Sequence, residues 1–504
     1  LACLFLWTSC ANVTHPTGGE KDIRAPRLLS IHPKDSQLNT RVTRIEMQFD
    51  EFVTVSNAST EVKTLPILPF PISTVAKNKK VIVKIPDSLL KDRTTYRISF
   101  GNAIADVHEN NVFKSYEYVF STGSYFDSMK IGGSVLNAAT GEKDSSAIIL
   151  LYSSSRSDSE VLREKPDYYV KASATGDFIF YGLPNRPFKM IALRDADANL
   201  LYDGEKEWIG FTSKIITPID SLNEKNVFDI AISSLADTVT TSVSLQTSNR
   251  PGGKNTTSNP EEVKPNHPTS SEDQDFTYSV SVDTFNHKKR TKDITTALEI
   301  LFNKPIKLVN PNRINLSYDS LGTLVEANFK QEIDTIQKNK LRLQTHWAPN
   351  QVYTLRLLKN FALDSNNKEA MPSKYLFRTK MDDDYAKLKV HLPTMYLDSQ
   401  YLFVLIRDKQ VIFEKPVTDT LIHFNQLQPA TYTLRIIKDE NRNGKWDPGN
   451  YWTKKQPEKV IPHATTIPLK VGWENIVDFE PMTFTTPNFI IKQPLINNNK
   501  KKKE

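Results

Sequence analysis

Cysteine is nearly absent from this 504-residue chain: Cys3 and Cys10 are the two it has, and none follows. A disulfide framework through the body is thereby excluded, so stability must come from packed apolar cores or bound metal. Long apolar runs are missing too. No stretch reaches the ~18–20 residues a membrane-crossing helix needs, and amphipathic helical periodicity is hard to find anywhere. The local signatures of common catalytic sites are absent: there is no His-Glu-x-x-His, no Gly-x-Ser-x-Gly, no P-loop and no Gly-x-Gly-x-x-Gly. The nine histidines are scattered, which points to a chain that is not an enzyme, although a serine triad needs no local motif. The net charge of +7 is concentrated in Lys500–Glu504 and Asn286–Lys292. No basic helix or base-stacking motif accompanies either patch, so nucleic acid is not expected as a partner.

Both cysteines lie where the chain is least like the rest. The run Leu1–Trp7 is apolar, Thr8 and Ser9 are small, and Cys10 closes the segment before a polar stretch with Pro16, Gly18 and Gly19. The run is too short to span a bilayer but suits the end of a secretory signal. A small residue before cysteine after such a run resembles the lipobox of bacterial lipoproteins, here with Trp7 where Leu or Val is usual. The resemblance implies that Cys10 is acylated, with fatty chains such as palmitate, and becomes the new N-terminus. Each buried CH₂ contributes ~0.8 kcal/mol, so more than one acyl chain anchors a body durably. The stretch "SCANVTHPTGGEKDIRAP" further resembles the start of a group of Bacteroidetes-type lipoproteins with S-layer-type bacterial Ig-like domains. Cys10, Ala11, Pro16, Thr17, Gly18, Gly19, Lys21, Asp22 and Pro26 carry that likeness.

From about Arg27 the pattern is short alternating apolar runs broken by Pro, Asn, Asp and Gly, the mark of strands. It also repeats. "ALEILFNKPI" (Ala297–Ile306) answers "RIEMQFDEFV" (Arg44–Val53), with Glu299 for Glu46 and Phe302 for Phe49. Val352–Thr379 answers the stretch ending at Thr122: Tyr353 for Tyr96, Asp364 for Asp106, Phe377 for Phe120, Thr379 for Thr122. An Asp-plus-Asn turn between strands suits a hairpin, because these side chains bond to nearby backbone and tolerate αL. Both segments resemble the S-layer-type Ig-like domain, including a closing Phe-x-Thr strand. Met129–Asp203 and Leu421–Asp447 share another pattern, a strand, then "GLP" or "QLQP", a strand and an acidic turn. They resemble the regulatory domain of carboxypeptidases or a transthyretin-like sandwich, which does no chemistry of its own. The period of the whole repeat is ~250 residues, so it is a duplicated pair of domains rather than a solenoid.

The acidic turns are the candidate metal sites. "DENRNGKWD" sets Asp439, Asn441, Asn443 and Asp447 at positions 1, 3, 5 and 9 of a calcium-loop pattern, with Gly444 at the sharp turn and Lys445 offering a carbonyl. Asn450 stands where a bidentate Glu belongs. "DADANLLYD" repeats it with Asp195, Asp197, Asn199 and Asp203 but with Leu200 in place of the glycine. The other reading of both is an Asx-rich turn that satisfies its own amides. No cofactor is required, and any calcium would be structural. Beyond the turns lie aromatics: Tyr202 and Trp208 in the first, Trp446, Tyr451 and Trp452 in the second. Exposed, Trp446, Tyr451, Trp452 and Trp208 would stack on sugars or anchor a protein partner; buried, they would close the end of a small sandwich.

The expected fold is all-β, a tandem of Ig-like and regulatory/transthyretin-like β-sandwiches. A signal remnant takes 1–9 and a lipidated tether 10–26, followed by Ig-like domain 27–124 and regulatory-like sandwich 125–240. A Ser-, Thr-, Asn- and Pro-rich linker fills 241–275. The second Ig-like domain takes 276–381, the second regulatory-like sandwich 382–485, and a basic tail 486–504. The family resemblance implies a non-catalytic, lipid-anchored cell-envelope protein that binds or scaffolds. The alternatives are a glycan-binding outer-membrane lipoprotein of a nutrient-uptake system and an accessory subunit of an envelope complex. The partners expected are the membrane, through the anchor, and an envelope protein or glycan. Residues 11–15 lack the acidic cluster that accompanies surface export in that phylum, which favours the periplasmic face of the outer membrane.

Overall fold

The computed structural model describes residues 21–483 apart from 115, 205–206, 221, 223–226, 235–274, 286–288 and 321. Cys10 and the run before it, most of the tether 10–26, nearly all of the linker 241–275 and the tail 486–504 lie outside the described residues. The chain is all-β, as its alternating patterns require. No helix among the described residues is long and apolar enough to cross a membrane. Two compact units divide it. One takes Leu1–Thr240, Trp446–Val460 and Thr483–Glu504; the other takes Thr241–Lys445 and Ile461–Met482.

The first unit opens with a sandwich of two antiparallel sheets. One has the order Leu28–His32, Arg44–Phe49, Lys80–Lys84, Ser73–Lys77; the other has Lys63–Leu65, Thr95–Ser99, Glu117–Ser121. Alternation places Ile45, Met47 and Phe49 on the inner face of one sheet, against Tyr96, Ile98, Tyr118 and Phe120 from the other. The next sandwich pairs Met129–Asn137 antiparallel with Asp177–Leu183 and parallel with Val227–Ile232. Its second sheet runs Tyr168–Lys171, Ile148–Ser153, Phe188–Arg194, Trp208–Phe211. Gly133 has a packing reason: a Cβ there would lie 1.9 Å from the carbonyl oxygen of Phe228 on the parallel strand.

The second unit repeats both layouts. Leu298–Phe302 pairs with Lys340–Gln344, and Val352–Leu357 pairs with Ser373–Thr379, around a core of Leu298, Ile300, Phe302, Tyr353, Leu355 and Phe377. Ala386–His391 then pairs antiparallel with Leu421–Leu427 and parallel with Glu474–Asp478, the connectivity of the earlier second sandwich.

The first sandwich of each unit shares with the other details finer than strand order. Tyr96 stacks on Phe120 and Tyr353 on Phe377, at 5.2 and 5.9 Å between ring centroids. The Tyr96 hydroxyl accepts from Lys91 N at 2.7 Å, and the Tyr353 hydroxyl from Ala348 N at 3.1 Å. The closing threonines behave alike, Thr122 Oγ1 donating to Lys91 O and Thr379 Oγ1 to Ala348 O. Each Phe-x-Thr strand therefore ties down the loop that precedes its tyrosine.

Candidate functional site

The strand Phe188–Arg194 delivers Asp195 into the first acidic turn. Asp195 accepts from Asn199 N on Oδ1 at 3.2 Å and from Leu200 N on Oδ2 at 2.9 Å. Asn199 Nδ2 donates to Asp197 Oδ2 at 2.9 Å and also to the Asp203 carboxylate. Glu207, only 6% exposed, reaches back across the turn. Its Oε1 accepts from Ala196 N at 3.2 Å and its Oε2 from Asp203 N at 2.9 Å. Asp195, Asp197 and Glu207 each place a carboxylate oxygen within 4.8 Å of the other two. No Lys or Arg among the described residues pairs with any of them.

The Asp439 turn in the second unit has the same backbone. Asp439 accepts from Asn443 N at 3.1 Å and Gly444 N at 2.7 Å; Asn441 accepts from Asn443 N, and Asn443 from Lys445 N. Positions 4 and 6 are left-handed in both turns: Ala198 and Leu200 at φ 62° and 65°, Arg442 and Gly444 at 58° and 77°. Leu200 thus adopts the conformation glycine takes freely, and its half-buried side chain packs on the adjacent core. Asp447 belongs to the first unit, where its amide donates to Glu458 Oε2 and its carboxylate pairs with Lys455 at 3.0 Å.

Glu207 is absent from the nonapeptide pattern. It follows Asp195 by twelve residues and immediately precedes the apolar strand Trp208–Phe211. An acidic residue at the mouth of the returning strand was the available signal.

Of the four aromatic residues, three are engaged internally. The Trp208 ring is covered by the Arg194 guanidinium 4.0 Å from its centroid, and Arg194 is itself paired with Asp144. Trp446 is half-buried and donates from Nε1 to Glu458 O at 3.0 Å. Tyr451 is 5% exposed, edge-on to Phe211 at 5.3 Å, with Lys454 Nζ 3.5 Å from its ring centroid. Burial pushes its hydroxyl pKa upward. Trp452, 62% exposed, is the one of the four that offers an open ring.

A third feature is the joint between successive sandwiches inside each unit. In the first, buried Asp127 accepts from Thr95 N at 3.3 Å, and its own amide donates to Thr95 Oγ1 at 2.8 Å. Desolvation raises the pKa of that carboxyl. Arg97 pairs with Glu117 at 3.0 Å and lies 5.1 Å from the ring centroid of Tyr181 on the next sandwich. Ile67 N donates to Asp167 O at 2.8 Å. A cavity of about 730 Å³ runs along this joint, lined among others by Leu68, Tyr96, Tyr125, Asp127, Tyr168 and Arg186. In the second unit, buried Asp293 accepts from the Tyr385 hydroxyl at 3.0 Å, from Thr295, and from Gln428 of the following sandwich. Burial pushes the Asp293 carboxyl up, but the hydrogen bonds from Thr295 and Tyr385 and the charge of Lys380 outweigh it and hold the pKa below the ordinary value. Both joints thus contain a buried carboxylate that accepts hydrogen bonds.

Residues 22–122 match the family model of a bacterial Ig-like domain, so the chain carries such a domain as its first sandwich. No curated protein matches it. The N-terminal part of the bacterial S-layer protein SbsC is 11% identical, with a TM-score of 0.19; the alignment covers 38% of this chain and 44% of that one. The chain therefore spans less than half the length of that structure. The Bacillus anthracis TIE protein is 10% identical at a TM-score of 0.16, over 93% of this chain and 76% of its own. BcpA, the major pilin subunit of Bacillus cereus, is 9% identical at 0.16, over 70% and 99%. TM-scores this low establish no common fold.

Proposed function

We propose that this chain is a non-catalytic scaffolding or binding protein of a Gram-negative envelope, anchored by lipid at Cys10 to the periplasmic face of the outer membrane. The observation that carries the scaffolding part is the pair of buried joints. Asp293 accepts from Tyr385 and Gln428 of the following sandwich, and Asp127, in the connector just before Met129–Asn137, bonds back to Thr95 of the preceding one; such contacts would set spacing and orientation within a unit. The bacterial Ig-like domain at 22–122 is consistent with a load-bearing or adhesive role. The anchor rests on the residues around Cys10. To test the orientation, intact cells of the native host are treated with a protease too large to cross the outer membrane. Protection until lysis is the expected result; cutting within 246–274 in intact cells would put the body outside and overturn the periplasmic placement.

Within the same reading, the Asp195 turn holds a structural calcium ion. Asp195, Asp197 and Glu207 supply hard carboxylate oxygens at one place, and the Asp203 carboxylate lies beside them through Asn199. Binding to the folded state alone stabilises by about 2.7 kcal/mol at a hundredfold excess over Kd. Millimolar calcium should therefore raise the melting temperature of the full chain over that in EDTA by several degrees. Asp197→Asn, at an exposed position, should abolish the difference while leaving the EDTA value nearly unchanged. Equal melting temperatures with calcium and EDTA would mean that the turn closes by its own hydrogen bonds.

A further inference from the structure

The strand Ile148–Ser153 is apolar on both faces, and so is its neighbour Phe188–Arg194. Ile149 and Leu151 point into the sandwich core with Met190 and Ala192. Ile148, Leu150, Ile191, Leu193, Ile209 and Phe211 form a second buried cluster on the opposite face. A sheet with two apolar faces needs a cover on each. Part of the outer cover is local: the short helix Asp158–Arg163 contributes Val161 and Leu162. Leu200 and Tyr202 of the acidic turn pack on the same cluster, and a further part of the cover, Tyr451, comes from Trp446–Val460, beyond the Gln246–Asp275 stretch in sequence, yet part of the same unit.

That segment is a preformed plug. Asn450 and Lys455 exchange backbone hydrogen bonds at 2.7 and 3.0 Å, and the Asn450 side chain accepts from Trp452 N and Thr453 N. Gly449 lies so close to Pro457 that a Cβ would approach its Cδ to 2.8 Å. The plug docks by three kinds of contact. Tyr451 enters the cluster against Phe211. Gly449 N donates to buried Ser233 Oγ, 216 residues away in sequence, and Gln456 Nε2 donates to Phe211 O, both at 3.0 Å. Lys454 pairs with Asp158 at 3.0 Å, beside the Lys189–Asp158 pair. Apolar, hydrogen-bonded and ionic contacts converge on one hairpin.

We infer that the hairpin Trp446–Val460 is a clasp: it completes the first unit from a remote part of the chain, so a cut in the intervening stretch does not release the two pieces. Residues before the cut present an apolar sheet face whose cover lies on the other piece, and the two stay bound through that face. A proteolytic nick would then leave the distal sandwiches held to whatever holds the first ones. This is independent of whether Cys10 is acylated.

The test uses the full chain with a specific protease site inserted between Thr256 and Thr257. After complete cleavage, the two fragments should co-elute as one species under native conditions. Zero-length carbodiimide coupling should join them through Asp158 and Lys454 at the mass of one chain. Asp158→Lys gathers like charges at the dock and removes the acceptor of the Tyr451 hydroxyl, and should release a large fraction of the cleaved pair. Adding Lys454→Asp should restore co-elution. Fragments that separate in the parent protein would overturn the clasp, as would an Asp158→Lys pair that stays together as tightly as the parent.

Discussion

Replacing Asp106 by alanine is expected to lower the stability of the first Ig-like sandwich by about 3 kcal/mol, because four part-buried backbone amides of one turn lose their common acceptor at once. Asp106 ends the strand Ile104–Asp106 and is 1% exposed. Its Oδ1 accepts from the backbone N–H groups of His108, Glu109 and Asn110 at 3.0, 2.6 and 3.0 Å, and its Oδ2 accepts from Asn111 N at 2.8 Å. One carboxylate thus organises the whole turn, including left-handed Asn110. For a sandwich of this size the loss lowers the melting temperature of its transition by about 10 °C or more, readable by calorimetry on the full chain. A variant that melts with the parent would mean that water replaces the carboxylate at no cost.

The pH dependence follows with a definite sign. Desolvation pushes the Asp106 carboxyl up, but the amides of Glu109, Asn111 and Asn110 outweigh it, leaving the folded-state pKa below the ordinary value. A depressed folded pKa contributes stability that is present above the unfolded pKa, about 3.9, and lost as pH falls through the folded value. The first sandwich should therefore weaken below about pH 4, and Asp106→Ala should lose part of that acid sensitivity. Asp364, its counterpart, accepts from two amides, Asn366 and Lys368. Its replacement should cost less.

These aspartates were legible in the sequence, because an Asp-plus-Asn turn between strands has a local physical cause. The same holds for Tyr96 with Thr122 and Tyr353 with Thr379, whose equal spacing reflects one recurring loop. The strand-rich fold was legible for a similar reason, since alternation of apolar and polar residues along Arg44–Phe49 or Leu298–Phe302 is what a half-buried strand demands. Glu207 was missed because the nonapeptide pattern stops short of the returning strand that brings it to Asp195. For the aromatic residues beyond the turns, the sequence left the exposed and the buried readings both open. Nothing near Trp208 in sequence marks Arg194 as its cover, and nothing near Tyr451 marks Phe211 as its neighbour. The continuous run "IILLY" at Ile148–Tyr152 is what a strand buried on both faces requires, but the run does not say what buries the second face. Contacts across more than 200 residues leave no periodicity to read.

The second large effect concerns the anchor. If the proposed anchor is right, Cys10→Ser removes the thiol that would be acylated, and with it ~0.8 kcal/mol for every methylene that the chains would bury in the bilayer. Without it nothing described in residues 21–483 would hold the body at a membrane by crossing it with a helix. The most direct measurement is made on the protein produced in its native host: membrane fractionation of parent and Cys10→Ser side by side, with the mass of the parent's N-terminal peptide. The expected result is a parent that sediments with the outer membrane, begins at Cys10 and carries acyl chains there, beside a variant found in the soluble fraction. A mature protein that begins elsewhere with an unmodified Cys10, or a serine variant that stays with the membrane as the parent does, would contradict the account.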